Sequence, residues 1–453
     1  MRATFDDPNL VSCAGVEPVM RLAHAVGLHT AVTDRVRLPG DTGCNPAGKV
    51  ATIVAGMLAG ADSIDDLNIA RHGGMRSLFT SVYAPSTLGS FLRTFTHGHV
   101  RQLQAAARDT LVALAQRMPL LDGADTVLFI DIDSMLRRVY GKRKQGIGFG
   151  HAKVGGYNVW LRGYHPLITT LSTPLAAPVI AATRLREGNA GSARGAASQI
   201  AEAITTARAC GAAGQIVLRA DSAFYAKTVI AACRRRDVRF SITTRVDAKI
   251  RTACENIPEA AWLDIRYPQA IYDEDQHRWI SDAQIAETRY TAFEGTRHAI
   301  TARLIVRRVR RDDPAQHPGQ GELITGYRYH AVFTDSPFTL VQAESQHRGH
   351  AIIEQVNADL IAGPLAHLPS GHFGANDAWL TCAAITHNLT RAAGHLAGPA
   401  YRSARPATIR TRIISVAARL AHRARSVHLH LPEHWPWQVA FDNLFIAAHA
   451  PPA

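Results

Sequence analysis

The segment Thr126-Val-Leu-Phe-Ile-Asp-Ile-Asp-Ser134 constrains the fold of this chain more than any other. An unbroken run of β-branched and aromatic residues reads as a strand covered on both faces. It ends in two acids, Asp131 and Asp133. Alternation along a strand sends both carboxylates to the same face, at the strand's C-terminal end. Paired acids in such a place are costly unless they are used, and the bland alternative is a pair that caps a turn.

Two more strands are expected at 155–162 and 167–172, giving a three-stranded meander. An Ala-rich helix over 192–210, a strand over 215–219, a helix over 226–235 and a strand over 238–244 follow. The order β-β-β-α-β-α-β is that of a ribonuclease H-like core, an α/β fold on a mixed sheet. Between 247 and 340 the chain turns to short charged strand candidates, such as 303–309 and 327–334, which read as a β-rich insertion. Helices resume at 346–361 and 375–393. Upstream, 20–36, 48–61, 63–72 and 86–118 read as helices, with Ser86 as an N-cap, so the N-terminal region is all-helical. The expected division is a helical DNA-binding region at 1–120, core at 121–246, insertion at 247–340, core again at 341–400, and a basic segment at 401–453.

The strand at 215–219 also ends in an acid, Asp221, where a helix is about to begin. An N-cap is the ordinary task of Asp there. In an open α/β sheet, however, strand C-termini collect along one edge where ligands bind, so Asp133 and Asp221 are expected to converge. Further on, His347, His350 and Glu354 fall at helical spacing on one face, with Arg348 in the same turns. Three carboxylates suit Mg²⁺ or Mn²⁺, which keep waters for substrate phosphates. A zinc reading of the histidines lacks an HExxH motif.

Charge points to the partner. The 453 residues carry 50 Lys and Arg against 37 Asp and Glu, a net charge of +13 spread along the chain, with a pI near 9.8. Polyanions are the natural ligands. Lys142, Arg143 and Lys144 are placed to clamp phosphates near the acids, although a solvated hairpin reads nearly as well. Hydrophobic residues at 47% and charged residues at 19% describe a folded chain. The longest apolar runs, such as 52–61, fall short of the roughly 20 residues of a membrane span. No leader is evident, and a cytoplasmic setting is expected. Six cysteines without close spacing argue against disulfides and a cysteine zinc site. Gly146-Ile-Gly-Phe-Gly150 fits no nucleotide-binding fingerprint and reads as a flexible turn. Phe224 and Tyr225 read as core before base-stacking residues. His428, His430 and His434 read as β-edge packing.

Asp131-Ile-Asp-Ser134, Arg186-Glu-Gly-Asn-Ala-Gly191, Leu218-Arg-Ala-Asp-Ser222 and the segment from His347 to Glu354 together resemble bacterial DDE transposases of the IS1380 group, within the IS4-like clan. Arg71-His-Gly-Gly74, Ala84-Pro-Ser-Thr-Leu88 and Trp435-Pro-Trp437 extend the likeness over most of the chain. The resemblance implies Asp133 as first catalytic carboxylate with Asp131 as close rival, Asp221 as second and Glu354 as third. It also implies two Mg²⁺ ions, double-stranded DNA with terminal inverted repeats as substrate, and a homodimer on paired ends. His347, His350 and Ile361 stand where IS4-like enzymes carry Tyr, Arg and Lys, and Met135 stands for a Thr, so DNA contacts through Lys142, Arg143, Lys144, His347, Arg348 and His350 are expected to differ from theirs. A catalytically decayed DNA-binding relative and a metal-dependent nuclease are the other readings.

Overall fold

The computed structural model describes residues 1–141, 143–154, 157–265, 272–273, 278–279, 283–310, 327–423 and 426–450. Lys142 lies outside them.

The architecture is mixed α/β around one nine-stranded sheet. In chain order its strands are β1 (Val127–Ser134), β2 (Leu167–Ser172), β3 (Val179–Arg184), β4 (Gln215–Ala220), β5 (Arg239–Thr244), β6 (Leu263–Ile265), β7 (Ala283–Ala292), β8 (Ile300–Arg310) and β9 (Tyr327–Thr334). Their order across the sheet is β6-β7-β8-β9-β5-β4-β1-β2-β3. β1 pairs antiparallel with β2 and parallel with β4, which is parallel to β5. This is the ribonuclease H-like arrangement, with β7, β8 and β9 continuing the sheet antiparallel beyond β5. The residues expected as an insertion therefore supply strands to the same sheet. The first six residues of β1 are all buried, as its unbroken apolar run requires.

Several elements depart from the sequence reading. The third strand of the meander is β3, whereas the expected strand at 155–162 belongs to a separate ribbon. There, Tyr157–Tyr164 pairs with Gly148–Val154 and Arg137–Arg138. Gly146 to Gly150, read as a turn, thus enters a strand at Gly148. The long N-terminal helices are broken: Gly27, at φ +78°, separates Val16–Ala25 from Leu28–Arg35, and Thr96 restarts the chain as the cap of His97–Arg117. Finally, Pro85, not Ser86, opens its helix, with Ala84 as N-cap.

A 25-residue helix, Phe373–Ala397, is the hub, with 21 of its residues buried against the edge strand β3 and the N-terminal helices. Its Asn388 accepts from the Ile180 N–H at 2.7 Å and donates to the Ile180 carbonyl at 2.8 Å, while Asp377 accepts the Leu185 N–H at 3.0 Å. These side chains occupy groups that an edge strand would leave open to another chain. Phe224 is fully buried, and Tyr225 stacks on Phe293 and meets Phe333 edge-on.

Candidate active site

The strand register decides how the two acids of β1 differ. Asp131 lies opposite Arg219 of β4 in the parallel pair. Arg219 donates from Nε at 2.8 Å and Nη2 at 2.6 Å, a two-pronged ion pair with both partners buried. His350 Nδ1 lies 2.9 Å from the same carboxylate. Burial alone would raise the Asp131 pKa, but the Arg219 charge and the His350 hydrogen bond outweigh it and hold the carboxyl below its ordinary range. Arg219 also stacks on Phe129 at 4.0 Å and donates from Nη1 to the Gln346 carbonyl at 2.7 Å. Asp131 is thus fully engaged in joining two strands to the chain around residue 350.

Asp133 has a different setting. The Asn357 amide donates to Oδ2 at 2.8 Å and the Ser134 N–H to Oδ1 at 2.6 Å. Burial pushes its pKa up to about 6; the charges of Asp221 and Glu354 push the same way, against the Ser134 N–H and His350. The three acids therefore share one electrostatic environment although they come from β1, the end of β4 and a distant helix. Asp221 and Glu354 are exposed, so the group lies in an open edge and not in a closed pocket. Asp221 also does the ordinary work of an Asp there, accepting the Ala223 N–H at 3.0 Å at the start of a 3-10 turn.

Glu354 is carried less simply than a single helix would carry it. Leu340–Arg348 and Ile352–Ile361 are α-helices joined by a 3-10 turn, Gly349–Ala351. The break lets the two histidines diverge. His347 sits between the Ser241 and Thr243 hydroxyls, each 2.9 Å from a ring nitrogen, and burial pushes its pKa down to about 3, so it is a neutral fastening to β5. His350 turns to Asp131. Gly349 leaves the junction open to Arg219, since a Cβ there would stand 2.6 Å from Nη1. Arg348 pairs with Glu344, Lys144 donates to the Leu368 carbonyl at 3.0 Å, and Arg143 is exposed.

Arg186 and Arg219 entered the sequence reading only as members of motifs, without a role of their own, and Asn357 had none. Arg186 is buried and donates to the carbonyls of His165, Gly191, Ser192 and Arg194, shaping a loop whose Ser192 hydroxyl meets that of Ser134. Arginines flanking apolar strand residues are the available signal, but only the register shows what they face.

Among the described residues, no group of three or more His, Cys, Asp or Glu side chains forms a ready metal cage. The donor chemistry nevertheless fits Mg²⁺, which is held by one or two carboxylates and completes its shell with waters and substrate phosphates. A cavity of about 490 Å³ lies among the N-terminal helices beside Met20, His24 and Phe79, away from these acids, and another of about 470 Å³ is lined by Phe129, Ser172, Arg219 and Gly349. Among the described residues, no helix is long and apolar enough to cross a membrane.

A mixed sheet of this order, with acids at the ends of two adjacent parallel strands, agrees with a ribonuclease H-like fold. The chain belongs to the family described as transposase DDE domain group 1, whose model matches residues 1–450. A search of curated proteins finds no match.

Proposed function

We propose that the chain is a transposase of the IS1380 group that cuts DNA at the ends of its element and joins them to a new site. The observation that carries this reading is the parallel register that ends β1 and β4 side by side at Asp133 and Asp221, with Glu354 on the helix whose Asn357 holds Asp133, beside an Asp131 already neutralised by Arg219. Asp133, Asp221 and Glu354 would hold two Mg²⁺ or Mn²⁺ ions. When bound, the ions supply Lewis-acid activation of a water or a 3′-hydroxyl and relieve charge on the departing 3′-oxygen. The protein's own part is positional. Asn357 fixes the Asp133 carboxylate, and the Asp131–Arg219–His350 cluster fixes the turn that precedes Glu354. Arg143 and its basic neighbours take the phosphates, the helical region at 1–120 and the basic segment at 401–453 grip terminal inverted repeats, and two copies act on paired ends.

The test is joining of a labelled DNA fragment, bearing the repeats that flank the gene, to a plasmid with Mg²⁺ or EDTA. Metal-dependent joining that Asp221→Ala abolishes, with DNA binding retained, supports a transposase. Cleavage without joining supports a nuclease, and binding with neither a decayed relative.

A further inference from the structure

Directly after Asp133 the chain leaves the sheet to form the ribbon of Arg137–Arg138, Gly148–Val154 and Tyr157–Tyr164. Five Phe, Tyr and Trp side chains among the described residues are highly exposed, and four of them stand here: Tyr140, Phe149, Tyr157 and Trp160. Such clustering is not a by-product of folding, since scattered exposed apolar residues are the rule and grouped ones mark contacts.

The register separates the two faces. Gly148 pairs with Gly163 and Gly150 with Leu161, so these residues share the inner face. That face lies flush on the chain at Gly188: a Cβ on Gly150 would stand 2.3 Å from the Gly188 carbonyl oxygen, and one on Gly188 would stand 2.2 Å from that of Gly148 and 2.3 Å from that of Gly163. Glycines thus seat the back of the ribbon at Gly150 and Gly188, where a side chain would meet the facing backbone. Phe149 pairs with Arg162 and His151 with Trp160, and these four occupy the outer face. The Arg162 guanidinium lies 5.9 Å from the Phe149 ring, and the His151 and Trp160 rings are 3.9 Å apart. Phe149 and Trp160 remain 58% and 62% exposed.

Charge narrows the partner. No Asp or Glu occurs between Asp133 and Glu187, whereas Arg137, Arg138, Lys142, Arg143, Lys144, Lys153 and Arg162 all do. The face suits a polyanion that also offers flat apolar surfaces. A closed duplex offers phosphates but keeps its bases stacked inside, and cations alone would serve it. A strand with unpaired bases offers both. The ribbon also stands close to the acids, because its first strand begins at Arg137, four residues past Asp133, and its seat at Gly188 leads into the loop held by Ser134.

We infer that the outer face of this ribbon is a stacking platform for unpaired DNA bases, holding a strand opened beside the cleavage site. This rests on the reading of the chain as a DNA-processing enzyme and adds the strand state it engages. The test uses the full chain and two probes of one sequence: a single-stranded oligonucleotide containing 2-aminopurine and its blunt duplex. Trp160→Ala should weaken single-strand binding about tenfold and abolish quenching of the 2-aminopurine, while duplex affinity stays unchanged. Trp160→Phe should restore both. Equal losses on the two probes, or an unaltered single-strand affinity in Trp160→Ala and Phe149→Ala, would overturn the inference, as would a wild-type protein that ignores the single strand and leaves the face to a protein partner. Binding is read without cleavage. A wild type that stacks the probe but never cuts DNA therefore upholds the platform and refutes the transposase reading.

Discussion

Arg219→Met is the most informative single change, because Arg219 serves three partners at once: both oxygens of Asp131, the Gln346 carbonyl and the Phe129 ring. Removing it leaves a buried carboxylate with His350 and, at 3.5 Å, the Ser172 hydroxyl. Breaking one side of a buried pair costs about 3–5 kcal/mol, against an exposed pair's 1 kcal/mol or less. Arg219 and Asp131 are 4% and 0% exposed, so the larger figure applies. Urea unfolding followed by circular dichroism should show the free energy of unfolding lowered by that amount, as a lower midpoint with an unchanged slope. The Asp131 contribution is a depressed-carboxylate one. It is present above the unfolded pKa of about 3.9 and is lost as pH falls through the lower folded value, so the gap between wild type and Arg219→Met should close in acid. The double variant Asp131→Leu, Arg219→Met removes both charges and should recover most of the stability. Metal-dependent cleavage should not recover with it, because the tether at Gln346 that places Glu354 is still gone. A cost below about 1 kcal/mol for Arg219→Met, or a fully active double variant, would refute the clamp.

Two further outcomes follow from buried polar groups. Burial pushes Asp377 up to about 7, only partly countered by the Leu185 N–H and by Arg184 and Arg101. Its folded pKa exceeds the unfolded one, so the fold binds the extra proton and loses stability as pH rises from about 4 to about 7. Asp377→Asn should be neutral near pH 4 and stabilise by up to about 4 kcal/mol above pH 7 in thermal melts; equal melts across that range would contradict the assignment. Asn388→Ala strips both partners from Ile180 in the edge strand and should cost about 2–4 kcal/mol in urea unfolding, whereas a loss under 0.5 kcal/mol, as at a surface site, would show that the edge is held otherwise.

The core strands were legible because their signals are local. β1 is an unbroken apolar run, and β9 was expected at its observed bounds, 327–334. Gly148 and Gly150 misled for a physical reason. Glycine weakens a strand, yet here it is needed for the approach to Gly188, a partner distant in sequence. The expected meander failed at the same place, since the strand at Tyr157 to Tyr164 alternates well but pairs outside the main sheet. Asp131 and Asp133 are indistinguishable by alternation. What separates them is Arg219, which stands opposite Asp131 only once β1 and β4 are in register. His347 and His350 share a face on an unbroken helix, and the 3-10 turn at Gly349 sends them to different strands. Asn357, one turn beyond Glu354, carries no signal until it is seen on Asp133.

Cleavage of the gene's own terminal repeats in Mg²⁺ by Asp133→Asn and Asp131→Asn, side by side with wild type, tests the central claim most directly. The expected result is loss of cleavage in Asp133→Asn with DNA binding and thermal stability retained, and in Asp131→Asn a destabilised protein that still cuts at reduced rate in the cold. Full cleavage by Asp133→Asn would contradict the claim and remove Asp133 from the metal site.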